Sequence, residues 1–164
     1  LYTIMSTLLY ATGFCAVTLG VGRRMLETYI ELARGKQSRA ATSIMARNDA
    51  IQREIANLEA KLSAARAFLH EAVVAIYDAA ASGTLTLDHR MRLRLATTWG
   101  MNAASDVSIA SYRAAGTTAI LDANPFERRF RDAMSASQHL QALPPHLEMV
   151  GRHLLGTENK VQHL

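Results

Sequence analysis

The side chains that could do chemistry here are six histidines, a single cysteine, and 14 carboxylates set against 18 basic residues. Imidazole titrates near neutrality and can move protons at pH 7, while histidines and carboxylates in clusters can hold metals. The spacing withholds most such sites. A di-iron bundle needs Glu-x-x-His on two helices with facing glutamates; His70-Glu71 and His146-x-Glu148 invite that reading and neither completes it. No metal is therefore expected. The glycine pattern of a nucleophile elbow is absent, as is a phosphate loop of the Walker type. Cys15 alone builds neither a disulfide framework nor a thiolate metal site, which fits a reducing cytoplasm.

A chain of 164 residues can bury a core without staples. A net charge of +4 points to solubility or an anionic ligand rather than nucleic acid. From Leu1 to Gly22 there is no charged residue, and Arg23-Arg24 follow, so length alone permits a membrane span. Thr3, Ser6, Thr7, Thr12, Thr18, Gly13, Gly20 and Gly22 dilute that run and suit a helix crossing its neighbours closely, so no membrane is expected. No basic region precedes the apolar run, as a signal peptide requires. The chain opens at Leu1 inside a helical pattern and without Met, so it reads as a piece of a longer protein.

Breakers divide the sequence into long helices and leave no alternating strand pattern. The first is expected from Tyr2 to Ala33, stopped by a left-handed cap at Gly35, with a loop over Gln37 to Ser43. The second carries a seam of Ile51, Ile55, Leu58, Leu62, Ala65, Leu69, Val73 and Ile76 and ends at Ser82-Gly83. Thr86 caps a third, with Asp88 in its first turn, running to Ala115 and Gly116. Its small middle, Ala103, Ala104, Ser105 and Ser108, admits another backbone, and Arg90, Arg92 and Arg94 read as a solvated edge. Asn124-Pro125 reads as cap and first residue of a fourth helix, which Pro144-Pro145 should break before it resumes through Leu147, Val150 and Leu154. The expectation is all-α: an up-down four-helix bundle with a broken last helix over residues 1–156, and a frayed tail over 157–164.

The stretch Gly116-Thr117-Thr118-Ala119-Ile120, then Asn124 to Ala133 with Arg131-Asp132, then Ser137-Gln138-His139 resembles the C-terminal domain of the acyl-CoA dehydrogenase superfamily. Ile51 to Leu62 with Ala64-Ala65-Arg66 resembles that family's second bundle helix, and Leu19-Gly20 to Lys36 its first. The dehydrogenases carry a glutamate base in a tyrosine-glutamate-glycine-threonine motif where Ser137-Gln138-His139-Leu140 stands. The two-component flavin monooxygenases carry a histidine at this place, and the chain is more similar to that branch.

The resemblance implies an enzyme, as part of a larger chain, that uses reduced flavin (FMN or FAD) and oxygen to hydroxylate an aromatic or related small organic substrate. It implies a separate flavin reductase, a homo-oligomer of tetramer type, and His139 as the catalytic group, able to donate to a flavin hydroperoxide or take a phenolic proton. A lone histidine is otherwise a core or surface residue. By the same resemblance Gly116 and Thr117 approach a flavin phosphate across a subunit boundary, although the same glycine also serves as a plain helix stop. Arg47 and Asn48 lie where the family presents flavin contacts, although its phenylalanine-glycine signature is absent from Arg34 to Lys36. Arg131-Asp132 is expected to be a buried supporting pair. Two other readings are an acyl-CoA dehydrogenase with its base elsewhere and a non-enzymatic helical interaction domain.

Overall fold

A computed structural model describes residues 3–37 and 42–157 of the chain. Five α-helices follow one another: α1 (Ser6–Gly35), α2 (Asp49–Ser82), α3 (Leu87–Ala115), α4 (Phe126–Ser137) and α5 (Pro144–Leu154). Short 3-10 turns at Met45–Arg47, Gly116–Ile120 and Leu140–Ala142 join them, and no strand occurs among the described residues. Arg23 meets Glu59 and Tyr29 meets Glu54, so α1 and α2 run antiparallel; Lys61 with Asp106 and Glu71 with Arg92 give the same relation for α2 and α3. Ser105 reaches Ala133 and Asp88 reaches His153, which lays α4 and α5 end to end antiparallel to α3. They are the two halves of one broken fourth helix, and the bundle has the expected architecture.

The α2 seam holds over Leu58, Leu62, Ala65, Leu69 and Ile76, all buried, with Ile51, Ile55 and Val73 half-buried beside it. Gly83 closes α2 at φ +74, a region costly for any residue with a Cβ. Thr86 caps α3 with a reciprocal pair: its Oγ1 accepts from the His89 amide while the His89 ring accepts from the Thr86 amide.

α3 is the hub and touches every other helix. Its small residues let α1 approach: a Cβ on Gly22 would stand 3.1 Å from the Ala104 carbonyl oxygen, and one on Gly100 2.7 Å from Cys15 Sγ. Burial against α3 pushes the Cys15 thiol up to about 12, so it is an inert core group.

Several local expectations are corrected. Gly35 is the last residue of α1 and is not left-handed; Lys36 leaves the helix in extended conformation and its amide donates to Leu32 O. The start at Tyr2 and positions 38–41 of the loop lie outside the described residues, as does the tail beyond 157; Gln37 pairs with Ile44 in an isolated bridge. Asn124 does not cap α4: Pro125 holds that position while Asn124 Nδ2 donates back to Thr118 O. The fourth helix breaks at Gln138, well before the prolines, and Pro144 opens α5, where its missing amide hydrogen costs nothing. Arg94 is no solvated edge, being fully buried, whereas Arg92 is exposed and chelates Glu71. Arg131-Asp132 is exposed, and Arg131 pairs with Glu127 one turn away, a contact of little energetic weight.

Membrane spanning finds no support among the described residues: no helix is long and apolar enough to cross.

Two glycines of α1, Gly20 and Gly22, give opposite expectations. Gly22→Ala meets backbone that cannot yield and is expected to lower stability by about 1–2 kcal/mol; Gly20→Ala, with open space around it, gains helix propensity of up to about 1 kcal/mol. Thermal unfolding of the two variants reads both signs. The Arg23–Glu59 pair is bidentate at 2.5 and 2.8 Å, and the donated bonds from Arg23 and then Ser63 hold the Glu59 carboxyl down to about 2. A depressed carboxyl stabilises the fold above its unfolded value and loses that contribution as pH falls toward 2. Both side chains are partly exposed, so the effect is at most about 1 kcal/mol. Glu59→Gln should flatten this acid-dependent part of the unfolding free energy relative to wild type.

Candidate functional site

The break between α4 and α5 carries the histidine singled out by sequence. Past Ser137 the chain leaves the helix, and His139 sits in extended conformation at the head of the Leu140–Ala142 turn. Its Nδ1 accepts from the Gln141 amide at 3.3 Å, and its ring lies against Phe14 of α1 with centroids 3.7 Å apart. An acceptor nitrogen carries no proton, so the neutral ring has its hydrogen on Nε2. No hydrogen bond engages Nε2 among the described residues. The ring is half-buried, and Tyr10, Phe14 and Val17, successive on one face of α1, are exposed beside this joint together with Leu140. A proton-bearing nitrogen next to an uncovered apolar face can donate a hydrogen bond to an oxygen on a flat organic molecule and stabilise negative charge developing there.

The joint is held from α3. Arg94 Nη1 donates to Gln141 Oε1, Thr98 Oγ1 donates to Gln141 O at 2.9 Å, and Asn102 Nδ2 donates to Ala142 O at 2.9 Å. Burial lowers Arg94 to about 10, which leaves it charged at neutral pH. The His146 ring bonds Leu140 O at 3.0 Å, and its affinity for a proton is lowered by burial and by the Arg94 charge. Sequence reasoning missed Phe14, Arg94, Thr98, Asn102 and Gln141. Extending the buried series Ser108, Ser105 (or Ala104), Met101 and Thr97-Thr98 by one more helical step reaches Arg94, so helical spacing could have placed it inside.

Gly116 and Thr117 lie at the far end. Gly116 has φ +59 and ψ −142 and is exposed with Thr117; a Cβ there would meet only Lys36 Nζ, at 3.9 Å. Lys36 Nζ donates to Ala115 O at 2.7 Å and Thr118 Oγ1 at 2.8 Å, while Lys36 O accepts from the Met45 amide. Lys36 thereby joins the Gly116 turn to the Met45–Arg47 turn, where Arg47 is exposed. Asn48 plays a structural part, since its Oδ1 accepts from the Ala50 and Ile51 amides and caps α2. From Phe14 to Gly35 the rise of α1 separates His139 from this cluster by about 30 Å, so one chain does not bring them together. Among the described residues no cluster of metal-ligating side chains forms.

The family of the "Acyl-CoA dehydrogenase, C-terminal domain" matches residues 12–144. The chain belongs to that family. Indole-3-acetate monooxygenase of Pseudomonas putida is 29% identical over 135 residues, which span 81% of this chain and 35% of that protein. The solved structure of XiaF from Streptomyces sp., in complex with FADH2 and glycerol, superposes with TM-score 0.88 at 20% identity over 96% of this chain and 41% of its own. The HsaA monooxygenase from M. tuberculosis gives 0.85 at 22% identity, over 99% and 42%. At those identities the structures establish the shared fold. This acyl-CoA dehydrogenase C-terminal domain accounts for well under half the length of each of these relatives.

The cap at Asn48 separates its structural role from any ligand contact. Asn48→Ala is expected to lower stability by about 1 kcal/mol and Asn48→Asp to restore it, as read by denaturant unfolding; equal stability of the alanine variant would show that the cap contributes nothing.

Proposed function

We propose that this chain is the C-terminal domain of a flavin-dependent monooxygenase that hydroxylates an aromatic or related organic substrate, with His139 as its catalytic group. The observation that carries the reading is the Nε2–H of His139, without a hydrogen-bond partner among the described residues, on a ring packed against Phe14 of the exposed apolar face of Tyr10, Phe14 and Val17. That face takes a flat apolar substrate, and Nε2–H donates a hydrogen bond to its oxygen or to the oxygen being transferred. Bound reduced flavin, FMN or FAD, supplies the activation of oxygen, and a separate reductase delivers it.

The Gly116 turn fits the phosphate end of such a cofactor. It offers exposed backbone at a position without a Cβ, the Thr117 hydroxyl, and the cations of Lys36 and Arg47 nearby. Because this end lies about 30 Å along α1 from His139, farther than an extended dinucleotide reaches, Gly116, Thr117 and Arg47 serve the flavin of another subunit. The site therefore needs a homo-oligomer, in this reading a tetramer, and the exposed Val74, Tyr77, Ile120 and Leu121 supply apolar contact area for it. A buried free thiol suits a cytoplasmic protein.

The dehydrogenase reading lacks a base at this place, since no aspartate or glutamate lies between Ser137 and Leu147. Anaerobic bleaching of the bound oxidised flavin by an acyl-CoA would favour it nonetheless. In the full-length protein with reduced flavin, oxygen and a panel of phenols and indoles, His139→Ala should cut product formed per flavin oxidised by about 100-fold, with the flavin's electrons appearing as hydrogen peroxide. Undiminished product in that variant contradicts the assignment.

A further inference from the structure

Arg94 is the largest fully buried side chain among the described residues, and it remains charged at neutral pH. Its guanidinium donates to an uncharged amide, Gln141 Oε1. Two apolar residues would pack in the same place without a charge to desolvate, so core packing alone does not explain the pair. What the pair does is geometric. Gln141 is buried, its side chain is held by Arg94, its carbonyl by Thr98 Oγ1 at 2.9 Å, and the next carbonyl by Asn102. The backbone amide hydrogen of Gln141 is thereby aimed at His139 Nδ1.

We propose that Arg94, acting through Gln141, is a positioning residue that holds His139 in the Nε2–H tautomer with its ring against Phe14. Arg94 does not touch the ring and is not a catalytic residue; it fixes the turn whose amide occupies Nδ1. The tautomer stands on the joint's own geometry, and only its consequence for turnover rests on the monooxygenase reading. His146, on the first turn of α5, faces the same joint and bonds Leu140 O, and among the described residues no carboxylate pairs with either ring. Backbone donation from Gln141 is thus the contact that selects the tautomer.

The test uses full-length protein labelled with 15N in histidine, with the His139 lines in solid-state spectra assigned by difference against His139→Gln. Wild type should show a protonated Nε2 and an unprotonated, hydrogen-bonded Nδ1. In Arg94→Met, with the helical circular dichroism retained, the two tautomers should become mixed and kcat should fall about 10- to 100-fold. Arg94→Lys, which keeps a donor, should recover part of both. Should Arg94→Met fail to fold, the double variant R94M/Q141L removes charge and partner together and carries the same expectation. An unchanged Nε2–H population in a folded variant lacking Arg94 overturns the proposal. A mixed tautomer with unchanged kcat supports the positioning role and instead overturns the catalytic role of His139.

Discussion

The desolvated charge of Arg94 is the constraint around which the last third of the chain is arranged. A guanidinium taken out of water costs several kcal/mol unless its hydrogen bonds are supplied by the protein, and one of those partners is Gln141, which must be brought to the face of α3. A continuous helix from Phe126 through Val150 would keep its backbone carbonyls in its own ladder. Breaking it over residues 138–143 frees the carbonyls of Gln141 and Ala142 for Thr98 and Asn102, and the amide of Gln141 for His139. The break thus exchanges a turn of helix for a joint fastened at several points to α3.

That joint depends in turn on how closely α1 lies on α3. Gly22 against Ala104 and Cys15 against Gly100 leave no room for a further methyl group. The same approach brings Phe14, one residue from Cys15, onto the ring of His139. A displacement of α1 would uncover the histidine as surely as loss of the Gln141 contact would turn it.

Much of this was legible in the residues. The α2 seam, the caps at Thr86 and Gly83 and the stop at Gly116 depend on local chemistry that spacing reveals, and the match over residues 12–144 rests on the same order of elements. Local preference misleads where tertiary contacts override it. Arg94 reads as one of three alternating arginines, yet Arg92 is the one that meets a surface carboxylate, and the helical phase of Met101 and Ser105 places Arg94 inside. Asn124-Pro125 has the form of a cap, but the Thr118 carbonyl claims the amide of Asn124. Two prolines read as a break because their rings cannot follow a helical turn, whereas here the turn before them has already ended. Of the candidate site, His139 and Gly116 were named from sequence; that they stand at opposite ends of the bundle could be known only from three dimensions.

We propose that the joint between α4 and α5 faces the reacting centre of a flavin enzyme. The most direct measurement is a structure of the full-length protein with reduced flavin and a bound aromatic ligand. It should place His139 Nε2 at about 3 Å from the flavin's reactive edge or the ligand oxygen, with the Gly116 turn against the flavin phosphate of a different subunit. A flavin ring walled by other segments, with His139 facing solvent or packed in a protein interface, would contradict the account.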